Sequence, residues 1–334
     1  MLKHDSFLVV GGAGFVGSHI VDSLVEKGAE KVVVVDNMFL GKLENLAEAK
    51  QKGKVIIYRE DARFITALEN IIELEKPEAV YNLAVKCLPY GFVDPEGSFM
   101  VGVEIAHNLA NLLRKGKFER LLHFSSSEAY GSAVQSPMRE DHPLNPTTPY
   151  GAGKAAADLL LLSYRNLFDL EISIIRPFNL VGPRQNMESY AAVVPVTINR
   201  ILKNQPPILE GDGLQTRDFT YVKDVADVAV RMMDSVETIG RVVNVGSSQQ
   251  IEIQAVISLI CELLDYPFEK VIHKPTRRGD VRRLHADITL AKSLLGYKPK
   301  TSFKQAVQYT IDWFKKRLKS NVEVMEVLRC ESPL

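Results

Sequence analysis

Phe7-Leu8-Val9-Val10-Gly11-Gly12-Ala13-Gly14-Phe15-Val16-Gly17 is an apolar run and a glycine-dense turn, followed by an apolar stripe at Ile20, Val21, Leu24 and Val25. The run predicts a short buried strand, and the stripe has the spacing of one face of a helix. Between them, Gly11, Gly14 and Gly17 let the backbone turn tightly and approach a pyrophosphate. That group would rest on the N–H groups of Phe15, Val16 and Gly17, at the positive end of the helix dipole. A glycine cluster alone is only a turn signal. Strand, turn and helix in this order predict the first unit of a doubly wound α/β sheet that binds a dinucleotide.

The second strand, 31–35, closes with Asp36, about 20 residues beyond the fingerprint, and Asn37 follows it. A carboxylate there binds a ribose 2′-hydroxyl and repels a 2′-phosphate, which selects NAD over NADP. Lys42 is the opposing signal. Further strands are expected at 54–58, 79–83, 120–124, 172–175 and 242–245, with helical patterns between most of them,. This is a parallel, doubly wound pattern. Asp61 and Ala62, just past the third strand, are candidates for contact with the adenine. Leu83 and Ala84 end the fourth strand at the ligand-binding edge, where Ala84 leaves room for the cofactor. Lys86 follows them, and reads equally as a partner for a phosphate or sugar and as a solvated lysine.

With 334 residues, 46% of them hydrophobic, the chain is long enough for a large core and two lobes,. Its 41 basic and 41 acidic residues balance, which argues against a nucleic-acid partner,. No apolar run approaches the roughly 20 residues of a membrane span, and the early strand leaves no room for a signal peptide. A cytoplasmic enzyme is the expectation. Cys87, Cys261 and Cys330 are scattered and lack metal-ligand spacing, so reduced thiols and no metal are expected,.

The fifth strand runs into Ser125-Ser126-Ser127-Glu128-Ala129-Tyr130-Gly131, and Thr148-Pro149-Tyr150-Gly151-Ala152-Gly153-Lys154 follows. A serine run after a strand is ordinarily a cap or loop. At this sheet edge, a hydroxyl of the run can hold a reacting oxygen, and Glu128 reads either as an exposed loop acid or as a base beside a substrate. Tyr150 and Lys154, four residues apart, share a helical face and form an acid/base pair. An ammonium near the phenol is expected to lower the Tyr150 pKa from about 10 toward neutrality.

Together these residues resemble the extended short-chain dehydrogenase/reductase family, in its nucleotide-sugar epimerases, dehydratases and decarboxylases. The likeness adds Arg176-Pro177-Phe178-Asn179, Gly182-Pro183-Arg184, Gly211-Asp212-Gly213, Thr216-Arg217-Asp218-Phe219, and Arg277 with Gly279-Asp280, and it extends to about Lys316. It implies a triad of Ser126, Tyr150 and Lys154, with Ser126 on the sugar 4-hydroxyl and Lys154 also on the nicotinamide ribose. It implies Asn179, Arg217 and Arg277 on the nucleotide diphosphate and Asp280 near the nucleotide ribose. Arginine's planar fork suits a diphosphate. It also implies a homodimer built on helices near 98–113 and 151–168. Residues 1–178 with about 217–247 would bind the cofactor, about 179–216 with 248–320 the substrate, and 321–334 would be a tail.

The implied common step is oxidation at the sugar C4. A 4,6-dehydratase also needs a base at C5, which Glu128 supplies, and an acid for the C6 hydroxyl. Ser127 stands where some dehydratases carry an aspartic acid. A 4-epimerase needs no carboxylate, and a decarboxylase acting on a glucuronic acid sugar can also carry a Ser-Glu pair. The stretch 82–90 departs from the His-Leu-Ala-Ala run of many relatives, and its Lys86 resembles certain epimerases. On these residues the 4,6-dehydratase ranks first, the 4-epimerase second and the decarboxylase third. A non-enzymatic NAD-sensing protein ranks last, because the triad is intact.

Overall fold

The computed structural model describes residues 2–188 and 190–330, with the side chains of 319–330 outside that description. Seven parallel strands form one sheet in the spatial order Val242–Val245, Ile172–Pro177, Arg120–Phe124, Ala79–Asn82, Ser6–Val10, Lys31–Val35, Val55–Tyr58. These are the seven segments expected from the apolar runs. The chain works outward from Ser6–Val10 in one direction, then crosses back to continue from Ala79–Asn82. The order therefore reverses between these two strands, and a ligand crevice opens at the carboxyl ends of strands at such a point. Val10 is in register with both Val35 and Asn82, so the glycine turn and the Asp36 and Leu83 segments emerge along one edge.

The period-two alternation of strands assigns each side chain to a face. Phe7 and Val9 pack with Ile20, Val21 and Leu24 of the helix Phe15–Glu26 on one side. Leu8 and Val10 pack on the other, with Ile105, Leu109 and Leu161. Two long helices cover that second face, Pro95–Arg114 and Pro149–Phe168, where the family resemblance implied helices near 98–113 and 151–168. Each begins alike. Asp94 accepts a hydrogen bond from the Gly97 N–H, Thr148 accepts one from Gly151, and the proline that follows needs no N–H partner at the first helical position,. The run Leu159-Leu160-Leu161-Leu162 divides between environments: Leu161 is fully buried while Leu159 is 58% exposed.

A second core lies beyond the sheet edge, where Val194, Ile198, Ile257, Ile260, Val307 and Phe314 pack together. It joins the helices Val193–Leu202 and Ile253–Leu263 to the final helix, Phe303–Cys330. Residues 281–297, expected with the substrate segment, pack instead on the larger core through Val281, Leu284, Ala286, Ile288, Ala291 and Tyr297. The expected tail begins inside the final helix, and 331–334 lie outside the described residues. No helix of the described residues is long and apolar enough to cross a membrane.

Candidate active site

A cavity of about 640 Å³ follows the carboxyl edge of the sheet from Asp36 past the glycine turn to Tyr150, and on to Arg217 and Arg277. At its first end Gly11 has φ +81°, and a Cβ there would lie 2.9 Å from the Ala84 nitrogen. Gly17 packs so closely that a Cβ would come within 2.2 Å of the Gly11 oxygen. Gly14 differs, because its Cβ would meet only the Gly11 oxygen, at 3.3 Å. Gly11 and Gly17 thus shape the turn, while Gly14 leaves space on the cavity side.

Asp36 accepts hydrogen bonds from the N–H groups of Ala13 (3.0 Å) and Met38 (2.9 Å), tying its own segment to the glycine turn. Burial raises its pKa, against the pull of those backbone donors. Asn37 donates to Asp61 at 3.1 Å, and Arg63 grips the same carboxylate. Burial would raise Asp61, but these donors outweigh it and leave its pKa below the ordinary value. Ala62, Leu83 and Ala84 line the cavity beside them. Lys42 is not among the lining residues, and its Nζ lies 3.9 Å from Glu188. Lys86 lines the cavity with its ammonium against the Phe39 ring.

In the middle of the cavity are Ser126, Ser127, Glu128, Tyr150 and Lys154. The Thr148 cap and Pro149 fix the helix start, which sets Tyr150 in the first turn and Lys154 one turn deeper. Ser126 Oγ accepts from the Glu128 N–H at 3.2 Å and lies beside the Tyr150 hydroxyl. The expected fall in the Tyr150 pKa is not found. Burial raises it, the Ser126 hydroxyl opposes, and Glu128 and Cys87 raise it further. Lys154 is 3% exposed, and its Nζ donates to the Phe124 carbonyl at 2.5 Å. Burial brings its pKa down to about 8, opposed by Asp158. The ammonium thus faces the strand carbonyl and Asp158, and its charge does not offset the burial of the phenol.

Below Lys154 is a polar cluster that sequence reading missed. Asp158, fully buried, accepts from Ser125 Oγ at 2.6 Å and from Arg176 Nε and NH2 at 3.2 and 2.6 Å. The Arg176 guanidinium also lies 4.4 Å from the Tyr130 ring centroid. Its one sequence signal was an acid four residues after Lys154, a spacing shared by ordinary surface helices.

At the far end, Arg217 is 6% exposed and its NH2 lies 2.6 Å from Asp280 Oδ1. Arg277 reaches the same oxygen at 3.3 Å and Glu210 at 3.9 Å. Asp280, expected near a ribose, thus joins the two arginines. Asn179 lines the same region, and its Oδ1 is buried without a hydrogen-bond partner among the described residues. Burial raises the Glu128 pKa, while Arg217 and Arg277 pull it down and Asp280 adds to the rise. The residues expected from the sequence to contact cofactor or substrate therefore line one continuous cavity, which Lys42 and Arg176 do not line.

The family model described as GDP-mannose 4,6 dehydratase matches residues 8–310, which is most of the chain. The chain belongs to the extended short-chain dehydrogenase/reductase family, in its nucleotide-sugar branch. This extended short-chain dehydrogenase/reductase is 33% identical over 310 residues to a putative UDP-glucose 4-epimerase of Methanocaldococcus jannaschii, covering 92% of this chain and 98% of that one. It is 31% identical over 317 residues to UDP-glucuronic acid decarboxylase 4 of Arabidopsis thaliana, covering 93% and 69%. The solved UDP-glucose 4-epimerase of Thermotoga maritima, with UDP-glucose, is similar at a TM-score of 0.87 and 31% identity, covering 93% and 99%. A dTDP-glucose 4,6-dehydratase of Streptomyces venezuelae with NAD bound has a TM-score of 0.88 and 25% identity, covering 93% and 97%. The chain is an enzyme of the nucleotide-sugar epimerase/dehydratase group, and its relatives carry the names of three reactions.

Proposed function

We propose that this enzyme is an NAD-dependent nucleotide-sugar 4-epimerase. The observation that carries this reading is the distribution of carboxyl groups along the cavity. Among the described lining residues, Asp36, Glu60 and Asp61 are at the glycine-turn end, and Glu210 and Asp280 are engaged by arginines. That leaves Glu128 as the one carboxyl beside Ser126 and Tyr150, with the buried hydroxyl of Ser127 next to it. Elimination across C5 and C6 calls for both a base and an acid besides the tyrosine, whereas turning over a 4-keto sugar calls for neither. Relatives named as epimerases are among those the chain matches, beside decarboxylases and dehydratases.

The cavity's first end suits a dinucleotide. Gly14 leaves the approach to the helix start open, and the Asp36 carboxylate lines the cavity. A carboxylate there favours NAD over NADP, and Lys42 is turned to Glu188. Bound NAD supplies the acceptor and donor of hydride and a positive charge near Tyr150. Tyr150 exchanges the proton of the sugar C4 hydroxyl, and Ser126, beside it, holds the same oxygen with its hydroxyl. Lys154 would hold the nicotinamide ribose. Arg217 and Arg277 take the nucleotide diphosphate end, where Asn179 can donate through its amide N–H groups, with Asp280 setting the spacing of the arginines.

A 4,6-dehydratase is the second reading, favoured by burial of Glu128, which gives its carboxyl the raised pKa of an acid/base group,. Incubation with UDP-, dTDP-, GDP- and CDP-sugars followed by mass measurement and chromatography separates the chemistries. An unchanged mass with a new 4-epimer supports the epimerase. Loss of water or of carbon dioxide overturns it in favour of dehydratase or decarboxylase. The exposed Met100 and Leu159 on the two long helices favour a homodimer through that face, and a monomer in light scattering would refute it.

A further inference from the structure

Phe39 and Tyr190, which line the cavity, meet Tyr90 behind them, the three rings coming from three separate segments. Phe39 follows Asp36, Tyr90 belongs to the short helix Leu88–Phe92, and Tyr190 precedes the helix Val193–Leu202 of the second core. Ring centroids are 5.0 Å apart for Phe39–Tyr90 and for Tyr90–Tyr190, both edge-on, and 6.2 Å for the stacked Phe39–Tyr190 pair. Lys86 Nζ is 3.0 Å from the Phe39 centroid and 4.9 Å from that of Tyr90. Cys87 Sγ donates to the Tyr190 carbonyl at 3.8 Å, and the Lys42–Glu188 pair ties the same two banks at 3.9 Å.

Two features distinguish this cluster from core packing. Phe39 is 37% exposed, and Tyr90 and Tyr190 are half-buried, so the rings meet at the surface. Met38, just before Phe39, has φ +60°, and Tyr190 has φ +63°. Non-glycine residues hold that strained conformation where surrounding contacts impose it. Phe39, Lys86 and Tyr190 also line the cavity alongside Gly14 and Asp36.

We propose that Phe39, Tyr90 and Tyr190 form a clasp that retains the dinucleotide, with Lys86 pinned between two of the rings. The inference rests on the dinucleotide reading of the cavity. A ligand extending from Asp36 to Tyr150 lies on the cavity side of these rings, and it leaves only when they part. Parting exposes ring faces to water and removes the ammonium from them, which slows release more than it changes entry. The chemistry suits this, because an enzyme that returns hydride to the sugar it came from regenerates its cofactor at every turnover and has no need to exchange it.

The test uses the full chain loaded with NADH, whose fluorescence is followed in stopped flow while excess NAD displaces it. Tyr190→Leu and Phe39→Leu should each release NADH at least tenfold faster than the wild type. The double variant should be little faster than either, since both open one clasp. Tyr190→Phe keeps the ring and should stay slow, and Phe268→Leu, an exposed aromatic of the second lobe, should be unchanged. Circular dichroism identifies any variant that fails to fold, and Tyr190→Phe against Tyr190→Leu then decides. Release within twofold of wild type in both leucine variants overturns the clasp while leaving the cofactor reading intact. A wild-type protein that takes up no NADH overturns both.

Discussion

Arg176 holds Asp158 with two nitrogens, Nε at 3.2 Å and NH2 at 2.6 Å, in a site where both side chains are almost fully buried. A buried pair of this kind contributes little net stability relative to apolar residues, but losing one partner strands the other charge at a cost of about 3–5 kcal/mol. Asp158→Ala is therefore expected to destabilise the protein by about that amount in urea unfolding. Loss of less than about 1 kcal/mol would mean that water reaches Arg176 and that the pair is not sealed.

Lys154 lies one turn before Asp158, and its pKa of about 8, against 10.5 for an ordinary lysine, gives two pH effects of opposite sign. The ammonium proposed to hold the ribose is lost above about pH 8, so activity should fall on the alkaline side near there. Stability moves the other way. The unfolded chain keeps its proton up to pH 10.5 while the folded lysine releases it from about 8, so the unfolded state binds more protons in that window. Stability from this group therefore rises with pH, by up to ~3 kcal/mol. Measured as wild type minus Lys154→Met, the stability difference should grow from pH 8 to pH 10.5. A flat difference would place the Lys154 pKa outside this window.

The sheet was legible because each of its strands is a compact apolar run that ends where the chain turns polar, as at Val35 before Asp36 and Phe124 before the serines. The candidate site was legible for a related reason: strand ends and glycine turns fix where their neighbours can be. Depth was not legible. Tyr150 and Lys154 have the spacing of an acid/base pair, yet burial raises one pKa and lowers the other. The Asp158–Arg176 pair was hidden because an acid on a helix is ordinarily solvated. Phe39, Tyr90 and Tyr190 come together from segments whose relative positions only the tertiary fold determines.

Tyr150→Phe removes the hydroxyl that lies beside Ser126 while keeping the ring. Turnover should fall by roughly two to four orders of magnitude, the range for loss of a general acid/base, while NAD stays bound. Near-normal turnover would remove Tyr150 from the chemistry.

Glu128→Gln separates the two leading readings. For a 4-epimerase, turnover should stay within about tenfold of wild type, since no proton moves at C5. For a 4,6-dehydratase, the 4-keto sugar should still form while exchange of the C5 hydrogen with deuterated solvent is lost. Burial raises the Glu128 pKa, and the isosteric amide keeps the shape of the side chain while removing its capacity to exchange a proton. C5 exchange in the wild type that disappears in Glu128→Gln would therefore reverse the order of the two readings.

Arg217 and Arg277 share one oxygen of Asp280, and each is assigned to the nucleotide diphosphate. Arg217 is buried and Arg277 is 37% exposed, so removing their charges should not be equivalent. Arg217→Met removes a donor whose geometry is fixed before substrate arrives. The KM for the nucleotide sugar should rise roughly 10- to 100-fold with kcat changed less, the pattern of a contact made equally in ground and transition states. Arg277→Met should raise KM by a smaller factor, because solvent already competes for that group. Asp280→Asn leaves both arginines in place but takes away the charge that draws them together. A KM near that of the wild type would mean that packing alone holds the fork, and a KM as high as that of Arg217→Met would mean that Asp280 sets its geometry. NAD affinity should stay constant across all three variants, because these residues lie at the opposite end of the cavity from Asp36. A parallel loss of NAD binding would contradict the division of the cavity into cofactor and substrate halves.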